Sequence, residues 1–367
     1  MSAPRLRITH TVSSLQGGGM EHFVLRLAHE QIRRGHDARV VAVRSGPLIA
    51  IAAEQRVPVT VLRGSKTARV ARCAASFARH RPDVIHCHNP TSLHYAVVAR
   101  LACGARLVLT DHAQTKGIVR AGSAAEWRLV DAFASVSADT ARHAADIGYH
   151  GRAEVVHNGV DFAPAARSRA AVRAELGLDG RVVGVNVASF FPVKAQDVLV
   201  RAAAALKRQG APVTTLLLGD GAERAHVELL AAELGLDASD VRFLGFRDDV
   251  ADLLAASDFF VLASRAEGLP ISILEAMSHG LPVVCSAVGG NPELVTDTVH
   301  GCLVPVDDPA ALARAIAALA GDAALRVRLG DAARERVTND FSFDRTADRY
   351  EAIYRRVLAG RRRLVPA

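Results

Sequence analysis

Residues 5–43 read RLRITHTVSSLQGGGMEHFVLRLAHEQIRRGHDARVVAV. Arg5 to Val12 is a short run rich in β-branched residues, and the glycines Gly17, Gly18 and Gly19 interrupt it. From about Met20 to Arg34 apolar residues recur at helical spacing, and Ala38 to Val43 is a second β-rich run. Strands alternating with helices are the signature of βαβ units and a parallel sheet, because parallel neighbours need a crossover where antiparallel ones can close with a hairpin. The stretch therefore predicts one βαβ unit with a Gly-rich turn at the carboxyl end of its first strand.

The same unit recurs along all 367 residues. Further strands are expected at residues 57–62, 83–88, 105–110, 132–137 and 154–157. A second series follows near 182–188, 213–219, 241–244, 258–262, 282–285 and 302–305. Asn158-Gly159 and Pro164 lie in the polar connection between the two series, where a turn dipeptide and a proline mark a boundary. The expected organisation is an α/β protein of two doubly wound, Rossmann-like parallel-sheet domains, residues 1–165 and 166–342. A last helix from Phe343 is expected to pack back on the first domain, with residues 343–367 forming that closing segment. Ligands of open parallel sheets sit beyond the carboxyl ends of the strands, which predicts a site in a cleft between two facing sheets.

Composition narrows the function classes. Half of the residues are hydrophobic, 23% are charged and no apolar run is long enough to span a bilayer, so the expectation is a folded cytoplasmic protein. Five cysteines, Cys73, Cys87, Cys103, Cys285 and Cys302, are scattered without a C-x-x-C pair, which argues against a disulfide framework or a thiolate metal site. The first 165 residues carry 21 basic and 12 acidic side chains, a net +9, whereas the remainder carries 24 and 26, a net −2. Between residues 55 and 82 seven Lys and Arg side chains stand without an acid, which suits either a solvated helix face or contact with an anionic membrane or a phosphate-bearing acceptor. Aromatic residues are only 5%, so nucleic acid is a poor fit for that run.

Three motifs carry candidate chemistry. Gly17-Gly18-Gly19 with Glu21 opens a helix, where bare backbone and N–H groups suit a phosphate; a tight turn without ligand is the plain alternative. The dinucleotide fingerprint fails because its last glycine position is His22. Glu267-Gly268-Leu269-Pro270 continuing to Glu275 places two carboxylates eight residues apart, one on the loop after a strand and one inside the next helix, as acceptors for sugar hydroxyls or as ordinary solvated acids. Gly289-Gly290-Asn291-Pro292-Glu293 is another glycine turn opening a helix. His86 and His88 share a strand face, and without a third ligand they read as packing or hydrogen-bonding groups, so no metal is expected.

In order and spacing, these motifs resemble a retaining glycosyltransferase of family 4, of the GT-B type, closest to bacterial exopolysaccharide-type sugar transferases. Thr110-Asp111-His112, Val136-Ser137, His157 to Asp161, Leu218 to Gly221 and Phe243 to Gly245 add to the match, which runs nearly end to end. The resemblance implies transfer of a sugar from a nucleotide-sugar co-substrate, most simply UDP-linked, to a glycan or lipid-linked acceptor, with no metal and no other cofactor, and the basic run of residues 55–82 suits a cytoplasmic protein peripheral to the inner face of the membrane. It assigns Glu275 to the donor ribose and Glu267 to a hydroxyl of the transferred sugar. Gly17, Gly18 and Gly19 would border the diphosphate and sugar, Phe246 and Arg247 would meet the base, and Gly219, Gly268, Leu269, Gly289 and Gly290 would line the donor. His112, Lys194 and Glu267 would bear on the chemistry.

One departure stands out. The family carries an Arg five residues before its Lys, whereas this chain has Ser189 five residues before Lys194 and no Arg between them. Arg265 is the nearest stand-in by motif. The departure leaves two alternatives to a competent transferase, namely a weak nucleotide-sugar-binding subunit of a polysaccharide assembly complex and a nucleotide-sugar epimerase of the same architecture.

Overall fold

A computed structural model describes residues 4–112 and 122–360. The chain divides into two compact units. One runs to Asn158 and resumes at Asp344, and the other is Gly159–Phe343. The sequence reading puts the boundary after residue 165. The structure adds residues 159–165 to the second unit, where the Val160 N–H donates to Phe341 O at 2.9 Å and the Phe343 N–H to Val160 O at 3.2 Å. Residues 1–3 and 361–367 of the expected segments lie outside the described residues.

The first unit is built on β1 (Arg7–Val12), β2 (Asp37–Ala42), β3 (Val59–Val61), β4 (Val84–His88), β5 (Arg106–Asp111), β6 (Ala132–Ser135) and β7 (Ala153–Val155). They form one sheet in the order β3-β2-β1-β4-β5-β6-β7, every pair parallel. The second unit contributes β8 (Val182–Val187), β9 (Val213–Leu218), β10 (Val241–Gly245), β11 (Phe259–Leu262), β12 (Val283–Ser286) and β13 (Gly301–Val304), in the order β10-β9-β8-β11-β12-β13, again all parallel. Both orders reverse direction at the first strand of the series. The switch points therefore fall between β1 and β4 and between β8 and β11, and that is where open α/β sheets bind ligands.

The two faces of the first sheet differ. Helices Lys66–His80 and Leu93–Cys103 cover one face, and Phe77, Cys73, Ile85, Cys87, Leu107 and Leu109 pack there with 1% exposure or less. Fully burying such a side chain contributes roughly 1.5 to 3 kcal/mol, so this face holds the unit together. The other face carries His10, His86 and His88, all at 0% exposure, with Phe23 from helix Gly19–Arg33 and Tyr350 and Tyr354 from helix Phe343–Ala359. The last helix thus packs on the first unit, where the Tyr350 and Tyr354 rings cover the polar layer and the Tyr354 hydroxyl hydrogen-bonds to His86 and Gln31.

Candidate functional site

In the second unit the candidate residues gather on the loops beyond the carboxyl ends of the strands. After β8 the chain runs through Ser189 into a short 3-10 turn, Pro192–Lys194, and Ala195 in the left-handed region (φ 51°) starts helix Gln196–Arg208. After β11 it runs through Ser264 and Arg265 to Glu267, and helix Ile271–Ser278 follows. Across the switch point Lys194 Nζ donates to Glu267 Oε1 at 2.6 Å, and Ser264 Oγ donates to the same oxygen at 2.6 Å. The Glu267 side chain is 5% exposed and that of Lys194 is 25%, so the pair joins a sheltered carboxylate to a cation that reaches the surface. A buried carboxylate without such donors would be costly, which explains why this loop carries Ser264 and faces Lys194.

Neighbouring loops close against this pair. The Gly290 N–H donates to Gly268 O at 2.9 Å. Gly289 sits at φ +56°, and a Cβ on it would lie 1.8 Å from Glu267 O, so the approach of the two loops requires glycine there. Gly219, at φ +127°, meets Ala188 O in the same way at 2.1 Å, and the Phe190 N–H donates to Asp220 O at 2.9 Å. The loops after β8, β9, β11 and β12 are thereby fixed by backbone contacts. After β10, Phe246 is 74% exposed while Arg247 pairs bidentately with Asp249, at 2.7 and 2.6 Å. Leu269 is buried behind the Glu267 loop, and Glu275 lies half-buried in the helix that follows.

Arg265 is not a loose cation. Its guanidinium donates to Asp307 Oδ1 at 2.7 Å, Pro192 O at 2.8 Å and Asp197 Oδ2 at 2.8 Å, and its backbone N–H donates to Val193 O at 2.8 Å. It ties the Pro192–Lys194 turn to the Glu267 loop, which makes it a brace for Lys194. Asp197, Asp307 and Ser264 are participants that sequence reasoning missed. The two aspartates stand 68 and 42 residues from Arg265, so no local pattern pairs them with it.

In the first unit Gly17 takes φ +112° and Gly18 precedes helix Gly19–Arg33. The Glu21 carboxylate accepts from Ser14 Oγ at 3.4 Å, and burial pushes its pKa up. At the β1/β4 switch point His10 stands beside His86 in register and close to His88. Each of these three offers a ring nitrogen within 4.8 Å of the others, a spacing a metal could use. All six ring nitrogens are already engaged. His10 bonds Gln31 Oε1 and His88 at 2.8 Å each, His88 bonds His112 at 2.9 Å, and His86 bonds Tyr354 Oη at 2.6 Å and Thr110 Oγ1 at 2.7 Å. A metal would have to displace that set. Burial pushes the pKa of His10 down to about 4 and that of His112 to about 3, and holds His86 and His88 well below the usual imidazole range. His112 is the part-exposed end of this network.

The basic run folds as helix Lys66–His80 with its flanks. Ser65 caps the helix, its Oγ accepting from the Ala68 N–H at 3.3 Å, while Arg72 and Arg79 point outward and Arg69 is half-buried. Arg56, Arg63, Lys66 and Arg81 are exposed as well, so six of the seven cations of the run stay at the surface.

Comparison with known proteins identifies the family and the fold. Residues 17–163 match the family described as Glycosyltransferase Family 4, and residues 181–322 match Glycosyl transferases group 1. A D-inositol 3-phosphate glycosyltransferase of Salinispora arenicola is 36% identical over 329 residues, 80% of this chain and 73% of the relative. The lipopolysaccharide core biosynthesis glycosyltransferase LpsE of Rhizobium meliloti is 34% identical over 212 residues, 57% of this chain and 60% of its own. Among solved structures, Anabaena HepE in complex with UDP-glucose superposes with a TM-score of 0.84 over 95% of this chain and 99% of that one, at 22% identity. Two parallel-sheet units of seven and six strands are the GT-B architecture, and the chain belongs to glycosyltransferase family 4.

Proposed function

We propose that this glycosyltransferase moves a sugar from a UDP-sugar bound by the second unit to a glycan, lipid-linked or phosphate-bearing acceptor held by the first, with retention of anomeric configuration and without a metal. The Lys194–Glu267 pair across the β8/β11 switch point carries the reading. An anionic diphosphate needs a cation and backbone donors, and a sugar hydroxyl needs a fixed acceptor. Lys194 supplies the first and Glu267 the second, and the donor exchanges its own contacts for the salt bridge between them. The exposed Phe246 ring is a platform on which a uracil could stack. HepE was solved with UDP-glucose, which favours UDP over GDP, and the name of the Salinispora relative contains an inositol phosphate, which suits a first half of net +9.

The roles of the two carboxylates separate in solution. Glu275→Ala takes an acceptor from the ribose hydroxyls, a charge-assisted loss of roughly 1.5 to 3 kcal/mol, so UDP affinity should fall about tenfold or more in a calorimetric titration. Glu267→Ala should leave UDP affinity nearly intact and lower turnover, because a sugar contact that tightens in the transition state appears in kcat. Unchanged UDP binding in a folded Glu275→Ala protein would remove the ribose assignment.

A further inference from the structure

A line of hydrogen bonds crosses the polar face of the first sheet from Gln31 to His112. Gln31 is buried, and its amide oxygen lies 2.8 Å from His10 Nε2. A carbonyl oxygen only accepts, so His10 carries its proton on Nε2 and offers Nδ1 as a lone pair. His10 Nδ1 lies 2.8 Å from His88 Nε2, so His88 must donate from Nε2, which leaves its Nδ1 to accept. His88 Nδ1 lies 2.9 Å from His112 Nε2, so His112 in turn donates from Nε2. Each ring passes the same direction to the next, because a neutral imidazole has one donor and one acceptor. Burial holds all four histidines neutral, which keeps that rule in force at ordinary pH.

The other end of the Gln31 amide agrees. Its Nε2 donates to Tyr354 Oη at 3.3 Å, Tyr354 then donates to His86 Nδ1 at 2.6 Å, and His86 Nε2 donates to Thr110 Oγ1 at 2.7 Å. Turning the amide over would reverse both chains and force all four imidazoles into the Nδ1–H form. The Nε2–H form is the more stable tautomer of an isolated histidine side chain, so the observed orientation is favoured at four rings together.

We propose that Gln31 is a positioning residue that, through His10 and His88, fixes His112 as its Nε2–H tautomer and so presents the His112 Nδ1 lone pair as an acceptor for a hydroxyl of the substrate sugar. The inference rests on the sugar-transfer reading above for the identity of that hydroxyl, and on hydrogen-bond geometry alone for the tautomer. Oriented this way, His112 accepts a hydrogen bond at Nδ1, and burial lowers the basicity of the ring so that it stays neutral.

Nitrogen-15 NMR of the histidine rings in the full chain tests the tautomer without substrate. The expected spectrum of the wild type shows a protonated Nε2 and a bare Nδ1 for His112; a protonated Nδ1, or fast exchange between the two forms, overturns the proposal. Gln31→Met removes the group that sets the direction while keeping side-chain length. It should populate the Nδ1–H form of His112 and lower kcat about tenfold, with the KM for the donor changed less than twofold. A His112 tautomer unchanged in Gln31→Met overturns the role of Gln31, and a switched tautomer with unchanged kcat overturns the role of the lone pair. A wild type that binds UDP and transfers no sugar would instead defeat the transfer reading, and the ring-nitrogen spectrum would still decide the tautomer.

Discussion

Lowering the pH from 7.5 to 5.5 is expected to weaken the first unit by on the order of 4 to 5 kcal/mol, through its buried histidines. His10, His86 and His88 are fully buried and neutral, with pKa values pushed down by burial, and His112, partly exposed, adds a smaller share. In the unfolded chain each titrates near 6.5. Folded-state values that lie below this mean that the stabilisation is fully present above pH 6.5 and declines as the pH falls toward about 4 for His10 and about 3 for His112, because only the unfolded chain takes up the protons. Each histidine then costs about 1.4 kcal/mol per pH unit, against a total of roughly 5 to 15 kcal/mol for a domain. Hydrogen exchange corrected for intrinsic rates should show protection of the β1 and β4 amides collapsing between pH 6.5 and 5. Those of β8 and β9 should fall less, since His279 and His300 of the second unit are shifted down by burial one at a time and, among the described residues, stand outside the His10, His86 and His88 cluster. Equal protection of β1 and β4 at pH 7.5 and 5.5 would contradict the neutral, buried state of the cluster.

Removing the cation at Lys194 should have the largest effect on catalysis. Lys194→Gln keeps a donor for Glu267 and deletes the charge, so the fold survives while stabilisation of the departing diphosphate is lost. A fall in turnover on the order of 100-fold to 1000-fold is expected. Arg265→Ala should also slow the enzyme, by freeing the Pro192–Lys194 turn, and should lower the melting temperature, because Asp197 and Asp307 lose their shared partner. Ser189→Arg adds a guanidinium beside Lys194 that can grip two phosphate oxygens at once, so it should raise wild-type turnover and restore part of what Lys194→Gln loses. If neither Lys194→Gln nor Ser189→Arg changes transfer, the diphosphate does not sit at this switch point.

The strands were legible because parallel strands buried on both faces read as nearly unbroken Val, Ile and Leu runs, and the expected and observed limits differ by one or two residues at most ends, as for Val213–Leu218 and Val84–His88. Glu267, Lys194 and the glycine turns were legible because each belongs to a local motif. Their meeting was not, since it depends on β8 lying beside β11, an adjacency that skips two strands of the series. The same holds for the histidine line. His86 and His88 alternate visibly on β4, whereas His10 joins them only through the β1/β4 pairing and Gln31 only through the packing of the first helix. Arg265 shows the converse, a residue picked for its motif position whose charge the fold spends on Asp197 and Asp307.

The stereochemistry of transfer tests this reading most directly. Wild-type protein would be given a panel of UDP-α-hexoses and phosphorylated or lipid-linked acceptors in the presence of EDTA, and the new linkage read from its anomeric proton coupling. Sugar transfer with an α linkage, undiminished by the chelator, is the expected result. A β-linked product, or transfer that EDTA abolishes and a divalent cation restores, would contradict it.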